Sequence, residues 1–213
     1  MSEPPMHVAD GEAHAKPRAT GHARFDVLLA VLAIFISGVS LFVAIEHGKT
    51  ERDLVSANSW PFLRSVITNN YPPGHDLAIG FSNGGVGPAK VNSLEVFYKG
   101  APVHSDVDLL KRCCGLKSDA AGYHQQLPHG ILRSLADDTV IRPGEENVVL
   151  VVHRDVAAPD IPNRFNDALL SITFKACYCS ILNECWVSDL KSTRTTEVKT
   201  CPEPRNRFDP NGD

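Results

Sequence analysis

No charged residue occurs between positions 27 and 45, and no cysteine occurs before Cys113. Basic residues are not in excess either: 21 Lys and Arg stand against 25 Asp and Glu, for a net charge of −4. Without a positive balance there is no electrostatic footprint for DNA or RNA, so nucleic acid is not an expected partner. The chain also has no P-loop, no dinucleotide-binding glycine fingerprint, no H-E-x-x-H and no Cys-x-x-Cys. These gaps remove the usual signatures of nucleotide enzymes, zinc proteases and thioredoxin-like oxidoreductases. What is present is enough for a packed core: 43% of the 213 residues are apolar and 22% are charged, which excludes wholesale disorder.

The charge-free run reads VLLAVLAIFISGVSLFVAI, with Ser37, Gly38 and Ser40 as its only departures from apolar character. As a helix, 19 residues at about 1.5 Å each span roughly 28 Å, enough to cross a hydrocarbon core. Arg24 and Asp26 close it on one side, and Glu46, Lys49, Glu51, Arg52 and Asp53 close it on the other. A buried helix of a soluble protein keeps a polar face, and this run has none. A cleaved signal peptide is the rival reading. Against it, the leader is 26 residues long, the apolar core exceeds the usual length, and Phe42 stands where a cleavage site near Ala44 wants a small residue. Gly38-Val39-Ser40 is a weak alternative cleavage site, so a retained anchor is expected.

Flanking charge orients the run poorly, since Lys16, Arg18 and Arg24 precede it while Lys49 and Arg52 follow. The cysteines orient it better. Cys113, Cys114, Cys177, Cys179, Cys185 and Cys201 all lie after the run, as a domain in an oxidising compartment would have them. The expected topology therefore has the N-terminus inside and the C-terminal domain outside. No N-x-Ser/Thr sequon occurs in that domain, which is compatible with a bacterial periplasm.

Residues 1–26, with Pro4, Pro5, Pro17 and no periodicity, read as a disordered cytoplasmic tail. His7, His14 and His22 in that tail are too irregularly spaced for a metal tract. Residues 27–45 are the transmembrane helix. Residues 46–61 form a juxtamembrane helix or linker that Trp60-Pro61 stops. Residues 62–201 show alternation at Leu77, Ile79, Phe81; at Leu94, Val96, Tyr98; at Val148, Leu150, Val152; and at Leu170, Ile172, Phe174, Ala176, Tyr178. Ser82-Asn83-Gly84-Gly85 and Arg142-Pro143-Gly144-Glu145 punctuate these strands as turns. The fold class is therefore mainly β: a single N-terminal transmembrane helix, then an immunoglobulin-like antiparallel β-sandwich with one or two short helices. One helix opens at the N-cap Ser105 and ends near Gly115, with Asp106 and Asp108 in its first turn and Lys111 and Arg112 in its last. Residues 117–128 read as a long loop and a candidate binding surface, and residues 202–213 as a C-terminal tail.

Cys177 and Cys179 share one strand face, opposite Ala176 and Tyr178. If Cys179 lies opposite Cys185, antiparallel register also puts Tyr178 opposite Trp186, with both aromatics on the core face and both sulfurs on the other. Cys177 then needs a partner among Cys113, Cys114 and Cys201. Six cysteines permit fifteen complete pairings, and sequence does not choose among them.

The apolar run, then Ser59-Trp60-Pro61-Phe62-Leu63, Asn83-Gly84-Gly85-Val86-Gly87-Pro88-Ala89-Lys90-Val91, Cys177-Tyr178-Cys179 and Glu184-Cys185-Trp186, resemble a set of uncharacterised bacterial proteins. Those are single-pass inner-membrane proteins with a small periplasmic β-domain. The resemblance covers most of residues 27–187. It implies a fold and a location, and it carries no activity over.

Three patterns imitate chemistry. Gly80-Phe81-Ser82-Asn83-Gly84 fits G-x-S-x-G, but a nucleophile elbow needs a helix after the turn, and here glycines and β-alternation follow. A glycine-rich hairpin using positive φ is the plainer reading. His104-Ser105-Asp106 places triad residue types side by side, where adjacent side chains cannot form the relay. Cys177-x-Cys179 with Cys185 could hold Cu(I) or zinc as thiolates, yet outside a membrane disulfides are the default. His75, His124, His129 and His153 are scattered and read as surface or loop residues, and Asp137-Asp138 as a turn. No catalytic residue, cofactor or metal site is therefore expected. The expectation is a non-enzymatic interaction or envelope-associated module, with the lipid bilayer and an unidentified envelope protein as partners. Cysteine-based thiol or metal handling is the alternative, and a count of free thiols separates the two.

Overall fold

The computed structural model describes residues 23–117, 122, 125–127, 131–155 and 157–210. The tail histidines, His124, His129 and most of the 117–128 loop lie outside the described residues. The chain divides into two compact units, Met1–Glu51 and Arg52–Asp213.

Helix α1 (Ala23–Asn58) is 36 residues long, about 54 Å. The charge-free run forms its first part, and the polar stretch continues the same helix without a break. Its most apolar window has a mean hydropathy of 2.8 and none of it is buried. Among the described residues it is the one helix long and apolar enough to cross a membrane. It ends close to where Trp60-Pro61 was expected to stop it: the Ser59 amide and hydroxyl turn back to the Val55 carbonyl at 3.0 and 2.8 Å.

In the second unit, β1 (Leu63–Tyr71), β2 (Asp76–Asn83), β5 (Ile131–Arg133) and β7 (Glu146–Val152) form a sheet in the order β1-β2-β7-β5. A second sheet runs β10-β9-β8-β3-β4, from β10 (Thr195–Val198), β9 (Cys185–Ser188), β8 (Ile172–Cys179), β3 (Ala89–Tyr98) and β4 (Ala101–Val103). Strand β6 (Thr139–Ile141) adds to β3 beyond that path. Every pairing is antiparallel. Side chains from both sheets, including Phe81, Leu150, Leu94, Val96 and Tyr178, enter one core.

The turn-rich stretch after β2 is not a hairpin. β2 and β3 belong to different sheets, so residues 84–88 carry the chain across from one to the other. Helix α2 (Asp106–Cys114) has the expected ends: Ser105 Oγ accepts from the Asp108 amide at 3.2 Å, and Gly115 closes it at φ +71°. Helix α3 (Asp160–Ala168) is a second short helix, whose position was not read from the sequence. Its Ile161, Phe165 and Ala168 are buried at helical spacing, and it packs against α2.

The segment after Cys201, read from sequence as a tail, is part of the domain up to its last described residue. Phe208 is fully buried in the core, and its amide donates to the Leu94 carbonyl at 2.9 Å. Arg207 clamps the segment to the 137–138 turn, with Nε 2.7 Å from Asp137 and Nη2 3.4 Å from Asp138. Burial raises the pKa of Asp137 above its ordinary value, against the pull of Arg207.

Candidate functional site

The chemically distinctive feature of the domain is a row of four sulfurs on the second sheet. Strand register builds it. Cys179 lies opposite Cys185 and Tyr178 opposite Trp186, the pairing expected from the sequence. Tyr178 is fully buried with Trp186 against the same core, and burial pushes the Tyr178 hydroxyl pKa up. Cys179 is bonded to Cys185 across the hairpin, and Cys177 to Cys201 on the C-terminal segment, with Cα separations of 4.0 and 5.7 Å. The two bridges touch, since Cys179 Sγ and Cys201 Sγ are 3.8 Å apart. Cys177, Cys179 and Cys185 are buried, whereas Cys201 is only half-buried.

A cleft of about 430 Å³ opens beside Cys177, bounded by Ser93, Glu95, Lys175, Val187 and residues 202–205. Two of its charges are paired with each other: Lys175 Nζ is 3.3 Å from Glu95 Oε2, and Glu95 Oε1 accepts from the Asn206 amide at 3.0 Å. Lys90 lies opposite Cys179 in the β3–β8 register, hence on the same face as the sulfur. As thiolates, Cys179, Cys185 and Cys201, whose sulfurs lie within 4.8 Å of one another, would offer three ligands to a soft cation. As disulfides they offer no thiolate. The remaining bridge joins the neighbours Cys113 and Cys114 at the end of α2, where Arg164 Nη1 donates to the Cys114 carbonyl at 3.2 Å.

The imitators of chemistry have structural duties. Ser82 is buried inside β2 and accepts from Arg64 Nε at 3.2 Å, and the chain after it enters a loop and then β3, without a helix. In the next turn, Asn83 is completely buried with its amide fully engaged. Its Oδ1 accepts from the amides of Gly85 and Phe62, at 2.9 and 3.2 Å, and its Nδ2 donates to the carbonyls of Gly87 and Ile141, at 2.8 and 3.0 Å. The glycines are required by close approach rather than by positive φ. A Cβ on Gly85 would sit 2.4 Å from the Phe62 nitrogen, and one on Gly87 would sit 2.0 Å from the Ser59 carbonyl oxygen. Thus Ser59-Trp60-Pro61-Phe62 and Asn83-Gly84-Gly85-Val86-Gly87, far apart in sequence, form one cradle that receives the chain as it leaves α1.

Two further polar pairs escaped sequence reasoning. Asp106, which a helix-dipole role was expected to explain, is fully buried and ion-paired with Arg133 of β5. Burial raises its pKa despite that cation. His153, expected to be a scattered loop residue, holds its Nδ1 2.8 Å from Asp76 Oδ2, while Asp76 Oδ1 accepts from the Arg154 amide at 3.1 Å. The signals were weak, since each pair joins residues 27 or more positions apart.

No protein-family model, no curated protein and no solved structure matches this chain.

Proposed function

We propose that this chain is a single-pass protein of a bacterial inner membrane that presents a non-enzymatic interaction domain, an immunoglobulin-like β-sandwich, to the periplasm. One observation carries the reading: a helix with a long unburied apolar stretch precedes, in the same chain, a domain whose six cysteines are all paired. Such pairs persist in oxidising compartments, which supports a domain outside and an N-terminus in the cytoplasm. The resemblance to single-pass inner-membrane proteins points the same way, and two antiparallel sheets around one core suit the sandwich architecture.

An interaction role is supported by the outer edge of the second sheet. Among the described residues, strand β10 pairs with β9 on one side only, and its Thr196 and Glu197 are exposed. An unpaired edge offers main-chain donors and acceptors to an added strand from an envelope protein. Photocrosslinking groups at Thr196 and Glu197, activated in intact membranes, test this. Capture of one stoichiometric protein at Thr196, lost when Glu197→Pro disrupts the edge strand, is the expected outcome. Repeated failure to capture a stoichiometric partner contradicts it.

A further inference from the structure

We infer that the four sulfurs of the second sheet form a two-step disulfide relay, in which an external dithiol opens Cys177–Cys201 at Cys201 and the Cys201 thiolate then displaces Cys185 from Cys179. The inference concerns sulfur chemistry alone and does not depend on the domain's binding a partner.

Accessibility sets where reduction begins. Cys201 is the half-buried member of the set, on the C-terminal segment just before Pro202 of the cleft, while the other three cysteines are buried in the sheet. A thiolate of the external dithiol bonds to Cys201 Sγ, and the Cys177–Cys201 bond breaks to leave Cys177 as a thiolate that takes up a proton. The second thiol of the reagent then closes on the first, which releases Cys201 and turns the dithiol into a disulfide. This step transfers two electrons and two protons to the protein.

Proximity sets what happens next. Cys201 Sγ already lies 3.8 Å from Cys179 Sγ, in van der Waals contact. An S–S bond is about 2.05 Å, so the sulfur has roughly 1.7 Å left to travel. Thiolate attack on a neighbouring disulfide needs no further reagent. The Cys201–Cys179 bond forms, the Cys179–Cys185 bond breaks, and Cys185 leaves with the proton that Cys201 carried. The net change is one oxidised dithiol, free thiols at Cys177 and Cys185, and a bridge between Cys179 and Cys201. The β8–β9 hairpin is then tied to the C-terminal segment instead of across its own strands. That release falls next to Glu184, whose carboxylate accepts from Ser56 of α1 at 2.8 and 2.9 Å.

The test uses the full-length protein in detergent, treated with one equivalent of dithiothreitol, quenched in acid at intervals and alkylated. Cleavage after Tyr178, Glu184 and Lys199 places Cys177, Cys179, Cys185 and Cys201 on separate peptides. Label on Cys201 is expected to rise first and then fall as label on Cys185 replaces it, with a Cys179–Cys201 crosslinked peptide accumulating in step. Label that stays on Cys177 and Cys201 throughout, with Cys179–Cys185 intact, overturns the relay. So does label that begins on Cys179 and Cys185. A Cys177→Ser variant leaves Cys201 free beside Cys179–Cys185 without any reductant. Its free thiol is expected to divide between Cys201 and Cys185, and label on Cys201 alone overturns the proposal.

Discussion

Asn83 satisfies two amides and two carbonyls with one buried side chain, and it does so where the chain passes from α1 into the first sheet. Asn83→Ala leaves those groups buried without partners, and a loss of about 3 kcal/mol in urea unfolding is expected. Gly87→Ala is expected to be at least as damaging, because its Cβ would overlap the Ser59 carbonyl. Val86→Ala, exposed in the same loop, should stay within about 0.5 kcal/mol. Asp106 supplies a pH-dependent effect. Its native pKa is raised from an ordinary 3.8, so its stabilising contribution is complete below the unfolded value and is lost as pH rises through the native one. Asp106→Asn has no such titration. The stability of the wild type relative to this variant should therefore fall as pH rises above the ordinary 3.8, and urea midpoints that move the other way contradict the assignment. The glycine-rich motif could be recognised in the sequence as a place where side chains are not tolerated. The cause was not legible, because positive φ and close approach demand the same residue and only the fold shows that Ser59 lies beneath Gly87.

Among the elements, the β8–β9 hairpin was the most readable, since Cys179 with Cys185 and Tyr178 with Trp186 satisfy one antiparallel register at once. β1 was not, because Arg64, Ser65, Thr68 and Asn69 break any apolar alternation along an edge strand. Helix α3 is only nine residues long and carries Pro162, so its Ile161–Phe165–Ala168 face was too brief to stand out. Nor does local pattern say which sheet a strand joins, which is why the β2–β3 crossover read as a hairpin. The partner of Cys177 depends on the path of the C-terminal segment, whose large apolar anchor is the buried Phe208. The bridges themselves are expected to differ in weight. By loop-closure entropy, replacing Cys177 and Cys201 with serine should cost about 3.5 kcal/mol, and replacing Cys179 and Cys185 about 2.4 kcal/mol. Cys113 and Cys114, adjacent in sequence, should cost least. Thermal unfolding of the three double variants checks that order, and a largest loss at Cys113 and Cys114 contradicts it.

At the scale of the whole molecule, the two absences noted at the outset divide the labour. The stretch without charge forms the exposed apolar part of α1, and the stretch after it holds every cysteine in a bridge. The average hydropathy of −0.13 conceals this division, because it blends a helix suited to lipid with a domain suited to water. We propose that the disulfide-bonded domain lies outside a membrane crossed by α1. Sealed right-side-out vesicles treated with a membrane-impermeant maleimide, with and without a membrane-impermeant reductant, test both halves together. No labelling is expected without reductant, even after the protein is denatured, and the intact vesicles are expected to label once reductant is added. Thiols that react without reduction, or that become reachable only after lysis, would contradict it.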